Sequence, residues 1–179
     1  MAIFGSMEKV KILFVCHGNI CRSPMAEFVM KYKLASAGIE GFEVASAATS
    51  TEEIGNPVYP PARRMLNSHG IDCSGKHARQ MTARDYEYYD YIVLMDRNNL
   101  RNLRWILPRD IYEKECASGN AQVAGGTQAA GKVSLLMEWA GKTRDVADPW
   151  YTGDFVATWN DVNEGCHALL KALLAEKAP

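Results

Sequence analysis

Cys16 and Arg22 stand with five residues between them in Cys16-His-Gly-Asn-Ile-Cys-Arg-Ser23, and the pair suggests chemistry on an oxyanion. A thiolate is a strong nucleophile. A guanidinium is a planar fork that holds two phosphoryl oxygens. The segment follows the apolar run 10–15 and precedes Pro24, so it reads as a turn from a strand into a helix. Pro is favoured at the first helical position, and Ser23 just before it makes a good N-cap. The N–H groups of such a turn converge on one spot with the helix dipole behind it, which is a nest for an anion. The same field favours a thiolate over a thiol, and Ser23 can hydrogen-bond that thiolate or help it leave. Asp148, in Asp148-Pro-Trp-Tyr151, is the candidate proton donor for a leaving group. Pro149 biases it toward an extended backbone, and Trp150 and Tyr151 could wall an aromatic substrate.

The elements that must position these residues follow from periodicity. Runs 10–15, 42–48 and 91–95 read as buried strands, and 133–139 holds a fourth. Met25, Phe28, Val29 and Tyr32 recur at helical spacing until Gly38 ends the helix. Residues 62–68 and 98–105 read as short helices, and Thr82-Ala-Arg-Asp85 has the form of a capping box. From Phe155 on, Trp159, Val162, Cys166, Leu169 and Leu173 share one face of a long helix. Strands alternating with helices imply a single-domain, doubly wound α/β fold with a parallel sheet. Ligands in such sheets bind beyond the carboxyl ends of the strands. Both the Cys16 loop and the Asp148 loop fall at such ends.

Composition narrows the function. Among 179 residues, 20 Lys and Arg balance 21 Asp and Glu, so a polybasic nucleic-acid surface is excluded as the main business. Hydrophobic residues at 47% and charged residues at 23% are those of a folded chain. The longest apolar run, 12–16, is far short of the ~20 residues a membrane helix needs. Five cysteines in a chain of this size read as reduced cytoplasmic thiols. Residues 1–7 read as a leader set outside the domain, which spans 8–179. The Gly- and Ala-rich segment 117–132 reads as a flexible insertion, having too little apolar surface to offset its ordering entropy.

The block Val15-Cys-His-Gly-Asn-Ile-Cys-Arg-Ser-Pro-Met-Ala-Glu27 resembles the signature of the low-molecular-weight protein tyrosine phosphatases. Asp148-Pro-Trp-Tyr151 resembles that family's acid loop. Ser46-Ala-Ala-Thr-Ser50, Ile54-Gly-Asn-Pro57, His77-Ala-Arg-Gln80 and Met95-Asp96 with Asn99-Leu100 are similar to its internal blocks, in the same order. The resemblance implies a Rossmann-like four-stranded parallel sheet flanked by helices on both faces. It also implies a two-step hydrolysis with no metal and no cofactor. Cys16 attacks phosphorus, Arg22 binds the phosphoryl oxygens, and Asp148 protonates the phenol and then activates the water that cleaves the phosphocysteine. His17, Gly18, Asn19, Ile20, Cys21, Arg22 and Ser23 would form the phosphate loop, and Asn19, Ser46 and His77 a polar network holding its shape. The implied partner is a phosphotyrosine protein, with a tyrosine kinase as functional counterpart, no nucleic acid and no membrane. Phosphate or vanadate would inhibit. Where the family often has an aromatic residue on the cleft wall, this chain has Glu52.

Plainer readings compete at several positions. Cys21 is either loop filler or a redox partner of Cys16, since a curled loop can bring two Cα atoms within disulfide range. His17, Cys16 and Cys21 lack the second ligand cluster a metal would need. Cys73, Cys116 and Cys166 read as inert, His69 and His167 as solvent or core histidines, and Tyr86, Tyr88, Tyr89 and Tyr91 as packing. A thiol-based arsenate reductase of the same fold needs two more cysteines after the third strand, and Leu94-Met-Asp-Arg-Asn-Asn99 has none. A protein arginine phosphatase is the other alternative. Those relatives carry Thr where this chain has Ile20, and an apolar wall suits a phenyl ring while leaving guanidinium donors unpaired.

Overall fold

The computed structural model describes residues 8–118 and 131–177. Along the chain run β1 (Val10–Cys16), α1 (Arg22–Ser36), β2 (Phe42–Ala48), α2 (Pro60–Ser68), α3 (Ala83–Tyr88) and β3 (Tyr91–Leu94). Then come α4 (Arg97–Asn102), a 3₁₀ turn (Leu103–Trp105), α5 (Arg109–Ser118), β4 (Val133–Leu135), α6 (Leu136–Trp139), α7 (Pro149–Thr152) and α8 (Phe155–Lys177). Residues 1–7 and 119–130 lie outside the described part, so the expected leader and most of the expected insertion do too. Ala117 and Ser118, expected at the edge of that insertion, instead close α5.

β1 decides the architecture. Its Ile12, Phe14 and Cys16 are buried in one apolar cluster, and Leu13 and Val15 in another. A strand buried on both faces needs helices on both, which is the situation of a parallel sheet. All three pairings are parallel, in the order β2-β1-β3-β4. The first cluster takes in side chains of α1, α2, α6 and α8, the second those of α4, α5 and the 3₁₀ turn. Strand order reverses between β1 and β3, so a crevice opens at their carboxyl ends, where such folds bind ligands.

Several boundaries differ from the sequence reading: α2 starts at Pro60 rather than 62, and the stretch 98–105 divides into α4 and the 3₁₀ turn. Helix α1 begins at Arg22 with Cys21 as N-cap, so Ser23 is inside the first turn and does not cap it. Pro24 is then the third helical residue, where the missing N–H would have had no partner anyway. The run 133–139 divides into β4 and the single turn α6. Helix α5 was not foreseen. Its buried Glu115 accepts from the amides of Lys132 and Val133, at 3.1 Å each, and so fixes the entry to β4. In α8, Val162, Cys166, Leu169 and Leu173 are buried as expected, and Trp159 stacks on His69 with ring centroids 3.7 Å apart. Tyr86, Tyr88 and Tyr91 spend their hydroxyls on Glu115, Glu43 and Glu176, in keeping with a packing role. No helix of the described residues is long and apolar enough to cross a membrane.

Candidate active site

The loop between β1 and α1 curls around one sulfur. Cys16 is almost fully buried. Its Sγ receives the Asn19 amide at 3.3 Å and lies 3.0 Å from Ser23 Oγ. The curl requires Asn19 in the left-handed region, at φ 57°, where Asn is among the few side chains tolerated. Asn19 is then locked on every side. Its Nδ2 donates to Ser23 Oγ at 2.8 Å and Ser46 Oγ at 2.9 Å, and its Oδ1 accepts from the Arg79 amide at 3.2 Å.

The network continues outward through groups that the sequence did not single out. Ser46 Oγ donates to Glu27 Oε2 at 2.5 Å. Glu27 is buried and pairs with Lys76 at 3.1 Å and Lys31 at 2.6 Å, and Lys76 Nζ also donates to the Ser46 carbonyl at 2.9 Å. Burial pulls the Lys76 ammonium below its ordinary pKa, and the Glu27 carboxylate opposes that shift. His77, expected in this network with Asn19 and Ser46, is exposed, and its Nδ1 lies 3.0 Å from the Gly55 carbonyl. Lys76, one residue earlier, occupies the inward position. Neighbouring residues of an extended segment face opposite ways, so a slip of one reassigns the role.

Arg22, at the first position of α1, is buried. One guanidinium nitrogen lies 2.6 Å from Asp96 Oδ2 and the other 2.9 Å from Asp148 Oδ2. Burial would lower its pKa, but the charges of Cys16, Asp96 and Asp148 outweigh that and hold it above the ordinary value. Asp96 keeps its other oxygen for the Asn99 amide as N-cap of α4, at 2.7 Å. Asp148 likewise caps α7, accepting from the Trp150 amide at 3.1 Å. Helix α8 grips the segment before it. Asp161 takes both guanidinium nitrogens of Arg144, at 2.7 and 2.6 Å, and the Ala147 amide at 3.0 Å, while Thr158 Oγ1 donates to the Ala147 carbonyl at 2.8 Å.

A cleft opens over the sulfur. Cys16, His17, Gly18, Ile20, Cys21 and Arg22 floor it, Glu52 and Glu53 stand on one wall, and Asp96, Asn99, Asp148, Trp150 and Tyr151 are on the others. His17 Nε2 is 3.0 Å from Glu52 Oε2. Trp150 leans on Tyr59, with ring centroids 5.4 Å apart, and Tyr151 is exposed. Burial, then the nearby charge of Cys16, pushes the Cys21 thiol up to about 12, so it stays protonated. Cys166 is pushed equally high by burial alone and lies in the core. A nucleophilic sulfur, a buried guanidinium and a carboxyl thus converge in one crevice, which is an arrangement for attack on a tetrahedral oxyanion ester.

A family model for low-molecular-weight phosphotyrosine protein phosphatases matches residues 11–178. The chain belongs to that family. It is 33% identical to the low-molecular-weight protein-tyrosine-phosphatase YfkJ of Bacillus subtilis, over 94% of this chain and 98% of that protein. The crystal structure of YfkJ aligns with a TM-score of 0.80 at 32% identity, covering 97% of this chain and all of that one. A low-molecular-weight protein tyrosine phosphatase of Streptococcus pyogenes aligns at 36% identity and a TM-score of 0.70, covering 93% and 95% of the two chains. A Drosophila arginine phosphatase aligns at 27% identity and 0.73, covering 91% and 97%.

In this phosphatase, sequence reasoning gave Asp96 and Glu27 no role beyond their place in the family's blocks, and missed Lys76 and the Asp161–Arg144 grip. Asp96 carried a signal, because Asp-x-x-Asn directly after a strand is a capping pattern. Glu27 carried another, as an acidic residue beside the apolar stripe of α1. Asp161 carried none, since its partners are 14 and 17 residues away in sequence.

Proposed function

We propose that the protein hydrolyses phosphotyrosine on proteins through a phosphocysteine, with Cys16 as nucleophile, Arg22 as phosphate clamp and Asp148 as general acid and base. The observation that carries this is the Arg22 fork. It lies over the Cys16 loop and is held by Asp96 on one nitrogen and by Asp148 on the other. Phosphoryl oxygens compete with Asp148 for that second nitrogen, which releases the carboxyl toward the leaving oxygen. The Cys16 sulfur attacks phosphorus, the P–O bond to the phenol breaks, and Asp148 gives the phenolate its proton. Asp148 then removes a proton from water as the P–S bond is cleaved, which returns Cys16 as thiolate and releases phosphate. The loop N–H groups and Ser23 steady the sulfur in both steps.

Ile20 supports a phenyl ring over a guanidinium. It is an apolar member of the cleft floor, and nothing in its side chain can satisfy the N–H groups of a phosphoarginine. Trp150 and Tyr151 offer stacking. Within this reading Cys16 is the oxidation-sensitive group. Its sulfenic acid, formed by peroxide, would condense with the neighbouring Cys21 thiol to a disulfide and water. The five free cysteines support a reducing, cytoplasmic setting.

Phosphotyrosine, phosphoarginine and phosphoserine peptides compared side by side test the reading. Phosphotyrosine should be preferred, phosphoserine should be poorest, and Ile20→Thr should shift the ratio toward phosphoarginine. Cys16→Ser should abolish turnover yet still bind phosphate or vanadate, because the N–H nest survives. A chelator should change nothing. A preference of the unmodified protein for phosphoarginine would reject the phosphotyrosine assignment, and turnover by Cys16→Ser above a few per cent would reject the nucleophile.

A further inference from the structure

We propose that this enzyme selects phosphotyrosine sites flanked by lysine or arginine, through Glu52 and Glu53 on the cleft wall. The inference rests on the phosphotyrosine reading and adds what lies beside the phosphorylated residue. The charges around the cleft are lopsided. Of the described residues lining it, Arg22 is the sole lysine or arginine. It is buried and already held by Asp96 and Asp148. That leaves Glu52 and Glu53. Glu52 is exposed, with two-thirds of its side chain open to solvent, and its hydrogen-bond partner is His17. Glu53 accepts from Asn56 Nδ2 at 2.6 Å and leans on the phosphate loop, so that a Cβ at Gly18 would sit 3.2 Å from Glu53 Cγ. Among the described residues neither carboxylate faces a lysine or arginine.

The cations of α4, the helix whose Asn98 and Asn99 line the cleft, are engaged by other groups. Arg97 is turned to Asp145 and the Thr143 carbonyl, and Arg101 donates to Asn98. A phosphotyrosine that reaches Cys16 at the bottom brings its peptide backbone across the mouth, so flanking side chains pass the Glu52–Glu53 wall. Lysine or arginine there gains an ion pair, whereas glutamate or aspartate meets like charge. A purely structural role for Glu52 and Glu53 would produce no dependence on the flanking charge.

The test compares kcat/KM for three phosphotyrosine peptides with two lysines, two alanines or two glutamates on each side. At low salt the lysine peptide should exceed the glutamate peptide by about tenfold, with alanine between them. About 1 M salt should compress the series, since charges are then screened within about 3 Å. The double variant Glu52→Gln, Glu53→Gln should bring the lysine-to-glutamate ratio to within about twofold. Glu52→Lys, at an exposed position that folding does not depend on, should move the preference toward the glutamate peptide. Equal rates for the three peptides, or a lysine preference that survives the double variant, would overturn the proposal and leave the phosphotyrosine assignment standing. Turnover of phosphoarginine with none of the three peptides hydrolysed would overturn both.

Discussion

Arg22 sits where a helix least wants a cation. The N-terminus of α1 is the positive end of the helix dipole, and a positive charge there is unfavourable by about 0.3–1 kcal/mol. Burial adds to that cost, and Asp96 and Asp148 offset both. A local rule broken at one residue, with two carboxylates recruited to correct it, marks a place where function outweighs folding. Asp148 therefore has three duties: it pairs with Arg22, caps α7, and is the proposed acid. Asp148→Asn keeps the cap, because Asn caps a helix as well as Asp does, but gives up both the ion pair with Arg22 and the proton; only the loss of the proton should depend on the leaving group. The variant should slow hydrolysis of phosphotyrosine by about 10²–10⁴, and much less for aryl phosphates with very acidic leaving groups, which depart unprotonated. Steady-state rates over a series of such esters measure this, and an equal loss across the series would take the acid role from Asp148. Cys16, Arg22 and Asp148 were legible as a set because each brings a distinctive chemistry and two of them are close in sequence. Lys76 was not, because an inward and an outward position of one short segment differ by a single residue, and only packing tells His77 from Lys76.

At the scale of elements, strands β1, β2 and β3 and helices α1 and α8 could be read from periodicity because each carries its own apolar pattern. Helix α5 and the turn α7 could not. α5 buries little but Glu115, and α7 is four residues long, so neither has a stripe to detect. Close packing between elements leaves even less trace. Gly165 on α8 faces the fully buried Leu136 of α6, and a Cβ there would lie 2.5 Å from Leu136 Cγ. In an isolated helix Gly→Ala gains about 1 kcal/mol. Here overpacking costs about 1–3 kcal/mol, because Leu136 has no room to swing. Gly165→Ala should therefore leave the protein destabilised, by up to about 2 kcal/mol in urea unfolding. A gain in stability would mean that α6 yields easily. Helix α6 opens the chain segment that leads to Asp148, so a shift there should also lower kcat.

For the whole molecule, the same contacts that hold the site contribute to its stability, and the two should fail together in acid. Asp161 is buried on α8. Burial would raise its pKa, yet the Arg144 guanidinium and the Ala147 amide outweigh this and hold it below the ordinary carboxylate value. Asp85 is held low in the same way by Arg79 and the Thr82 amide, and Arg79 in turn donates its own amide to Asn19 of the phosphate loop. A carboxylate whose folded pKa is depressed stabilises the fold above its unfolded value, near 3.8, and loses that contribution as pH falls through the folded pKa. Stability should thus be flat from neutral pH to about 5 as far as these two groups are concerned, and fall below about 4. Asp161→Asn tests the link. At neutral pH the variant should be less stable by about 1–3 kcal/mol, the worth of charge-assisted hydrogen bonds. The gap should narrow as pH drops through the carboxylate range, because the unmodified protein then loses the same charge. Asp161 also grips Ala147, the residue before the proposed acid. The variant should therefore lose more rate on poor leaving groups than on good ones, as Asp148→Asn does, but less steeply. Urea unfolding at a series of pH values and rates on paired esters read the two effects separately. A stability gap that stays constant down to pH 2.5 would mean that Asp161 acts by packing alone, and an equal rate loss on both esters would mean that the grip does not position Asp148.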